Sequence, residues 1–230
     1  MRDNIACTKQ LTTPFVKVCG MTSCDAVKAI DSHLPLCVGF IFYDASPRNA
    51  FALPVEDICN LSSECRKIGV FVDAGYEEII GICRPRNIDV VQLHGSESPE
   101  LCRKLGDAGY TVIKAFSLSG GNKDDLNDRL AAYVSSVDYF LFDTAGRQAG
   151  GNGLKFDWTI LDNYNFPVPY ILSGGIGPDD VQDVISVLNS KKAIAGVDIN
   201  SRFEISPGVK NIKTVNKFIN NLYHNAKPTD

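Results

Sequence analysis

Eight apolar runs of strand length alternate along this chain with polar segments of helical length, and this alternation limits the folds open to it. The runs predicted to be strands cover residues 15–19, 37–42, 67–72, 88–93, 111–115, 139–142, 169–172 and 193–198. Strands that alternate with helices form parallel sheets through right-handed crossovers. Eight such units in 230 residues predict an α/β fold, a closed (β/α)8 barrel, with an open doubly wound sheet as the alternative.

The segments between these runs carry helix signals. The predicted helices cover residues 23–33, 54–65, 76–83, 99–108, 124–134, 156–163, 178–188 and 210–224. Thr22 or Ser23 is suited to cap the first of them, and Pro178 suits the first turn of the seventh. Residues 1–13 show no clear element. We therefore expect an N-terminal extension over 1–13 and a single barrel domain over 14–226.

Composition argues against several classes of protein. The net charge of −4, with no long basic run, disfavours binding to nucleic acid or to an anionic membrane. No run approaches the roughly 20 apolar residues of a membrane span, and the N-terminus lacks the apolar core of a signal peptide, which predicts a cytoplasmic protein. None of the eight cysteines forms a C-x-x-C pair, so we expect no metal site and interpret all but Cys19 as free buried thiols.

Polar side chains stand where the predicted strands end, and in a barrel these C-terminal ends form the active face. They are Cys19, Asp73, His94, Lys114, Asp143, Ser173 and Asp198. Residues two apart on a strand point the same way, so Lys17 shares a face with Cys19 and Gln92 shares one with His94. The convergence of several ionisable groups at one mouth predicts an active site.

Glycine-containing sequence lies beside the ends of the last three strands of the predicted barrel, at 150–153, 173–177 and 196–201. A single such loop is usually only a tight turn. Backbone N–H groups in adjacent loops can bind a phosphate together, and the phosphate site of these barrels usually lies after strands seven and eight. We therefore expect a phosphorylated small-molecule substrate.

The motifs along the chain resemble those of the phosphoribosylanthranilate isomerase family. The resemblance is carried, in order, by KVCGMT at 17–22, GFIFYDASPR at 39–48, GVFVD at 69–73, VQLHG at 91–95, FDT with GGNG at 142–153, SGGI at 173–176 and GVDINSRFEISPGVKN at 196–211. It implies a TIM barrel that converts N-(5-phosphoribosyl)anthranilate into 1-(2-carboxyphenylamino)-1-deoxyribulose 5-phosphate, the third reaction step of tryptophan biosynthesis. No cofactor is implied, and the protein is expected to be a monomer or a homodimer.

The resemblance also assigns roles to individual residues. Cys19 matches the general base that removes the C2′ proton of the ribose, and Asp143 matches the general acid that protonates the ring oxygen. Arg48 matches the residue that binds the anthranilate carboxylate, and His94 and Asp198 match further polar residues of the pocket. The phosphate region is matched by Gly151, Asn152, Gly153, Gly174, Gly175, Asn200 and Ser201.

This chemistry places opposite demands on the two catalytic groups. A free thiol has a pKa near ~8.5, so the site is expected to lower the pKa of Cys19, with Lys17 as the residue that does so. A free aspartate titrates near ~3.9, so Asp143 needs desolvation or a nearby like charge to hold a proton at neutral pH.

The chain departs from the family pattern at Asn152, where threonine is common, and at Arg202 and Phe203, where small residues are usual. These departures bear on the phosphate loops and not on Cys19, Asp143 or Arg48. Two alternatives remain open: the related isomerase of histidine biosynthesis, which carries an aspartate at the position of Cys19, and a catalytically inactive barrel that binds a ligand.

Overall fold

Eight parallel strands close into a barrel in the computed structural model of this chain, which confirms the predicted fold. The structure describes residues 11, 14–30, 35–118, 123–144, 158–161, 164–190 and 193–225. The strands pair in sequence order, and β1 closes the barrel on β8. They are β1 Phe15–Cys19, β2 Leu36–Phe42, β3 Cys65–Phe71, β4 Val90–Leu93, β5 Thr111–Leu118, β6 Tyr139–Thr144, β7 Tyr170–Leu172 and β8 Ile194–Ile199.

Helices cross between the strands and cover the outside of the barrel. The α-helices among the described residues are α1 Cys24–Lys28, α2 Val55–Cys59, α3 Tyr76–Cys83, α4 Pro99–Asp107, α5 Lys123–Ala131, α6 Val181–Ser190 and α7 Ile212–Asn225. Ser23 caps α1, since its hydroxyl accepts from the Ala26 amide at 3.2 Å. A 3-10 turn over Trp158–Leu161 stands where the helix between β6 and β7 was predicted, and another over Pro178–Asp180 leads into α6.

Several helix predictions were wrong at one end. The first and the fifth were placed over 23–33 and 124–134, but α1 ends at Lys28 and α5 ends at Ala131. The second predicted helix was placed over 54–65, but α2 ends at Cys59 and Cys65 already belongs to β3. The last was placed from 210, but Lys210 lies in a strand. A small hairpin of β9 Glu204–Ser206 and β10 Val209–Lys210, which was not predicted, precedes α7. Strands of three and two residues are too short to show an alternating pattern.

The core has two layers, as the alternation of side chains along barrel strands requires. A larger cluster lies between the barrel and its helices, and a smaller one fills the barrel interior. On β1, Phe15 and Cys19 belong to the interior cluster, whereas Val16 and Val18 face the helices. Leu11 also belongs to the interior cluster, and its amide donates to the Tyr139 hydroxyl at 2.8 Å. The division into an extension over 1–13 and a domain over 14–226 stays a prediction.

Candidate active site

A buried ion pair joins the first and last strands of the barrel. Lys17 and Asp198 are register partners on β1 and β8, and Lys17 Nζ lies 3.0 Å from Asp198 Oδ1. Their side chains are 0% and 5% exposed. Asp198 Oδ2 also accepts from the Ser173 hydroxyl at 3.3 Å, at the end of β7. Charges so deeply buried are costly unless they are paired, so this pair marks the polar part of the barrel interior.

Cys19 stands at the end of β1 beside this pair, and it is 4% exposed. Burial raises the pKa of the Cys19 thiol above its ordinary value, while Lys17 and, more weakly, Lys210 oppose the rise. Lys17 thus acts in the predicted direction, but the prediction of a lowered pKa is wrong. Desolvation outweighs the attraction of the ammonium groups.

Gly39 on β2 provides the space that the thiol occupies. It is the register partner of Cys19, and a Cβ at this position would lie 2.9 Å from Cys19 Sγ and 3.1 Å from Lys17 Cε. Both contacts are shorter than side chains normally make. The absence of a side chain on β2 therefore fixes where the thiol and the ammonium lie.

We expect Gly39→Ala to lower kcat/KM by about 10-fold or more, because a displacement of the order of 1 Å can cost about 100-fold. The measurement is steady-state kinetics on variants with matching circular dichroism spectra. Gly81→Ala is the matched control, since a methyl group at Gly81 in α3 would meet nothing within 4 Å. Unchanged kinetics for Gly39→Ala would show that the position of the thiol does not depend on this space.

His94 and Asp143 face each other at the same mouth. His94 Nε2 lies 3.4 Å from Asp143 Oδ2, and the two side chains are 20% and 13% exposed. The other ring nitrogen, Nδ1, lies 2.9 Å from the Gln92 side-chain amide nitrogen. If this amide donates, Nδ1 is the acceptor and Nε2 carries the proton towards Asp143. Burial raises the pKa of Asp198, Lys17 opposes the rise, and the Asp143 carboxylate adds to it, so the two halves of the site interact electrostatically.

Arg48 lies at the mouth as the sequence indicated, but it already has a partner. Its Nε and Nη2 donate to the Glu204 carboxylate at 2.8–3.0 Å in a bidentate pair. A Cβ on Gly20, directly after Cys19, would lie 2.9 Å from Arg48 Cδ. Arg48 therefore packs against the backbone that follows the thiol. The role of Glu204 could not be predicted from the sequence, because the short hairpin that carries it shows no recognisable pattern.

The loop after β7 contains two adjacent glycines, whose backbone N–H groups were predicted to bind a phosphate. Gly174 and Gly175 have φ angles of 85° and 69°, in the left-handed region that side chains disfavour. Asn200 follows β8, and Ser201 begins a 3-10 turn. The remaining residues predicted for this site, Gly151, Asn152 and Gly153, lie outside the described residues. The roles of all these residues in binding stay predictions.

Two of the residues predicted at the strand ends, Lys114 and Asp73, belong to a hydrogen-bond network outside the candidate active site. Lys114 lies between Ile113 and Ala115 of the interior cluster, so it points towards the helices. Its ammonium contacts the buried Glu97 carboxylate at 3.0 Å, and the Asp73 amide donates to the same carboxylate at 2.9 Å. This network ties together the loops that follow β3 and β4. Alternation along β5 could have separated Lys114 from the candidate active site in the sequence.

The part of the chain that the structure describes contains neither a candidate metal centre nor a candidate membrane span. Within it, no three or more His, Cys, Asp or Glu side chains are grouped in a way that could hold a metal ion. None of the described helices is both long enough and apolar enough to cross a membrane.

Comparison with known proteins identifies relatives over nearly the whole chain. The family model described as N-(5′-phosphoribosyl)anthranilate (PRA) isomerase matches residues 16–221. The N-(5′-phosphoribosyl)anthranilate isomerase of Parabacteroides distasonis is 38% identical over 217 residues, which cover 94% of this chain and 96% of the relative. The enzyme of the same name from Phocaeicola vulgatus is 39% identical over 208 residues, covering 90% and 97%.

Solved structures agree with this relationship. The phosphoribosyl anthranilate isomerase of Thermotoga maritima superposes with a TM-score of 0.73 at 32% identity, covering 91% of this chain and 98% of that one. An isomerase of the same name, crystallised with reduced 1-(o-carboxyphenylamino)-1-deoxyribulose 5-phosphate, superposes with a TM-score of 0.71 at 31% identity and the same coverage. The chain therefore belongs to the N-(5′-phosphoribosyl)anthranilate isomerase family.

Proposed function

We propose that this protein catalyses the Amadori rearrangement of N-(5-phosphoribosyl)anthranilate to 1-(2-carboxyphenylamino)-1-deoxyribulose 5-phosphate in tryptophan biosynthesis. The observation that carries the proposal is a thiol at the end of β1 and a carboxylate at the end of β6, at one mouth of a barrel of this family. The reaction moves protons within one molecule and is redox neutral. It needs one positioned acid and one positioned base.

Asp143 is the general acid of the proposed mechanism. It protonates the furanose ring oxygen, the C1′–O bond breaks, and the nitrogen lone pair forms an iminium. His94, 3.4 Å from the carboxylate, can supply or share the proton and can stabilise the charge that remains on Asp143. The position of the carboxylate in a partly buried mouth excludes much of the water that would compete for the proton.

Cys19 is the general base. The iminium acidifies the C2′–H bond, the thiolate takes this proton, and the electrons shift to give the enamine, which tautomerises to the product. Burial favours the neutral thiol before the substrate is converted. The iminium is a cation formed next to the sulfur, so together with Lys17 it favours the thiolate at the stage where the base is needed.

The substrate spans the mouth from its phosphate to its carboxylate. In the proposed orientation, the phosphate accepts hydrogen bonds from the backbone near Gly174, Gly175, Asn200 and Ser201, and residues 151–153 stay predicted members of the same site. The anthranilate carboxylate pairs with Arg48. Lys17, Asp198 and the two catalytic groups then lie under the ribose.

The position of the phosphate is tested with Gly175→Asp, which should raise KM by at least about 10-fold over Gly175→Asn because it sets a carboxylate beside a dianion. Asparagine has nearly the same shape and tolerates the left-handed backbone, so it reproduces the steric change without the charge. KM from initial rates is the measurement. Equal KM values for the two variants would place the phosphate elsewhere.

Several expectations about the protein's context belong to this proposal. We infer a small phosphorylated substrate, a cytoplasmic location and no cofactor. A monomer and a homodimer both stay open. The T. maritima relative is described as dimeric and has also been crystallised as monomers.

The proposed activity can be tested in cells by expressing the chain in a bacterial strain that lacks this isomerase and requires tryptophan. Growth without tryptophan is the expected result. A strain that lacks the related isomerase of histidine biosynthesis tests the alternative, and we expect no growth without histidine because Cys19 stands where that family carries aspartate. Growth of the second strain alone would contradict the proposal.

A further inference from the structure

Arg48 belongs to a buried cluster of charged side chains. An arginine that only paired with a substrate would not require these additional charged partners. The Arg48 and Glu204 side chains are 12% and 4% exposed, and the carboxylate receives both Nε and Nη2 of the guanidinium. A bidentate pair of this kind fixes the plane of the guanidinium as well as its position. Without it, the long arginine side chain would have several rotamers available at the mouth.

Lys210 is the third member of this cluster, and its side chain is fully buried. Its ammonium lies 2.6 Å from Glu204 Oε1 and 2.6 Å from Asn200 Oδ1. Burial lowers the pKa of Lys210 and Glu204 opposes the change, whereas hydrogen bonds from Arg48 and Lys210 lower the pKa of Glu204 in spite of its burial. Glu204 is therefore ionised at neutral pH.

The hairpin of β9 and β10 holds this cluster against the end of β1. The Gly208 amide at its turn donates to Glu204 Oε1 at 3.2 Å. The Thr22 hydroxyl donates to the Gly208 carbonyl at 2.6 Å, three residues after Cys19. The hairpin thus connects three parts of the mouth: the loop after β2 with Arg48, the end of β1, and Asn200 after β8.

The charges in the cluster do not balance. Two cations, Arg48 and Lys210, share one carboxylate, and burying unbalanced charge is unfavourable. A clamp with a purely structural role would be expected to be neutral. An excess positive charge beside the mouth is suited to an anionic group of a ligand, and Glu204 uses only the Nε–Nη2 edge of the guanidinium.

We propose that Glu204 is a positioning residue, which, with Lys210 behind it, holds Arg48 so that the remaining edge of its guanidinium receives the substrate's carboxylate. This inference rests on the proposed function, since it concerns how the anthranilate end of that substrate is selected. Recognition of the aromatic acid then depends on the hairpin after β8 as well as on the loop after β2.

The test compares two ligands that differ only in the carboxylate. The first is reduced 1-(o-carboxyphenylamino)-1-deoxyribulose 5-phosphate, and the second is its phenylamino counterpart without the carboxyl group. Glu204→Gln should weaken binding of the first by about 10-fold and that of the second by less than about 2-fold, on the scale of one charge-assisted hydrogen bond. Glu56→Gln, at an exposed glutamate in the first turn of α2, is the control and should change neither.

A double-mutant cycle separates positioning from a general structural effect. If Glu204 acts through Arg48, Glu204→Gln should have little further effect on the first ligand in the Arg48→Ala background. If Glu204→Gln does not fold, Glu204→Asp keeps the charge but shortens the side chain, and it should show the same selective loss.

The outcomes of this comparison distinguish the positioning role of Glu204 from the proposed placement of the substrate. Equal weakening of both ligands, no weakening of either, or additive effects in the cycle would overturn the role of Glu204. If the wild-type protein itself binds the two ligands equally, the proposed placement of the substrate fails as well. A wild-type preference for the carboxylate that survives Glu204→Gln would overturn this inference alone.

Discussion

Cys19→Ser should lower kcat by about 100-fold or more, which is the usual scale for the loss of a positioned base. Serine keeps the shape of the side chain, but its hydroxyl ionises at far higher pH than a thiol and cannot serve as the base. The strand, Gly39 and the Lys17–Asp198 pair stay in place, so the loss reflects chemistry and not folding. Single-turnover kinetics give the rate of the chemical step directly.

The pH dependence gives this prediction a second readout. Only the thiolate can act as the base, and burial raises the thiol pKa above its ordinary value. The thiolate fraction is therefore small at neutral pH and grows as pH rises. In the Asp143→Asn variant, which lacks the carboxylic acid, the residual kcat/KM should therefore increase from about pH 7 to about pH 9. Cys59→Ser, at a partly exposed thiol of α2, should keep the full rate and the same pH profile. A wild-type profile in Cys19→Ser would remove Cys19 from its role.

Asp143→Asn should likewise lower kcat by about 100-fold or more, because the amide cannot donate a carboxylic proton to the ring oxygen. The change is nearly isosteric, and its partner His94 can still form a hydrogen bond to the amide oxygen. Binding should suffer less than turnover, so KM should change by much less than kcat. Pre-steady-state mixing with substrate can measure both.

The control for this variant is Asp107→Asn, at the exposed end of α4. It removes one carboxylate from the protein without touching the barrel mouth and should leave the kinetics unchanged. If Asp143→Asn turned over substrate at the normal rate while its fold was intact, another group would have to be the acid. His94 would then be the nearest alternative.

The barrel could be predicted because the composition and length of its apolar runs are typical of buried parallel strands. Continuous apolar runs such as the one in β2 are typical of strands covered on both faces. Alternation along single strands also placed Lys17 beside Cys19 and Gln92 beside His94, and both pairs are found in the structure. Local sequence was sufficient here because a period of two fixes which side chains share a face.

The features that the sequence did not yield depend on contacts between distant segments. Glu204 meets Arg48 across 156 positions of the chain, and no local pattern in a three-residue strand indicates such a pair. The net direction of the Cys19 pKa shift also could not be predicted from the sequence. It depends on how far burial outweighs the nearby ammonium groups, which only the packed structure determines.

The central claim is tested most directly by incubating the purified protein with freshly prepared N-(5-phosphoribosyl)anthranilate and following its fluorescence. Chromatography of the product should separate the rearranged compound from free anthranilate. We expect the fluorescence to fall much faster than it does without protein, with the deoxyribulose phosphate as the product and with the double variant Cys19→Ser, Asp143→Asn at the spontaneous rate. No loss of fluorescence above the spontaneous rate, or anthranilate as the only product, would contradict the proposed function.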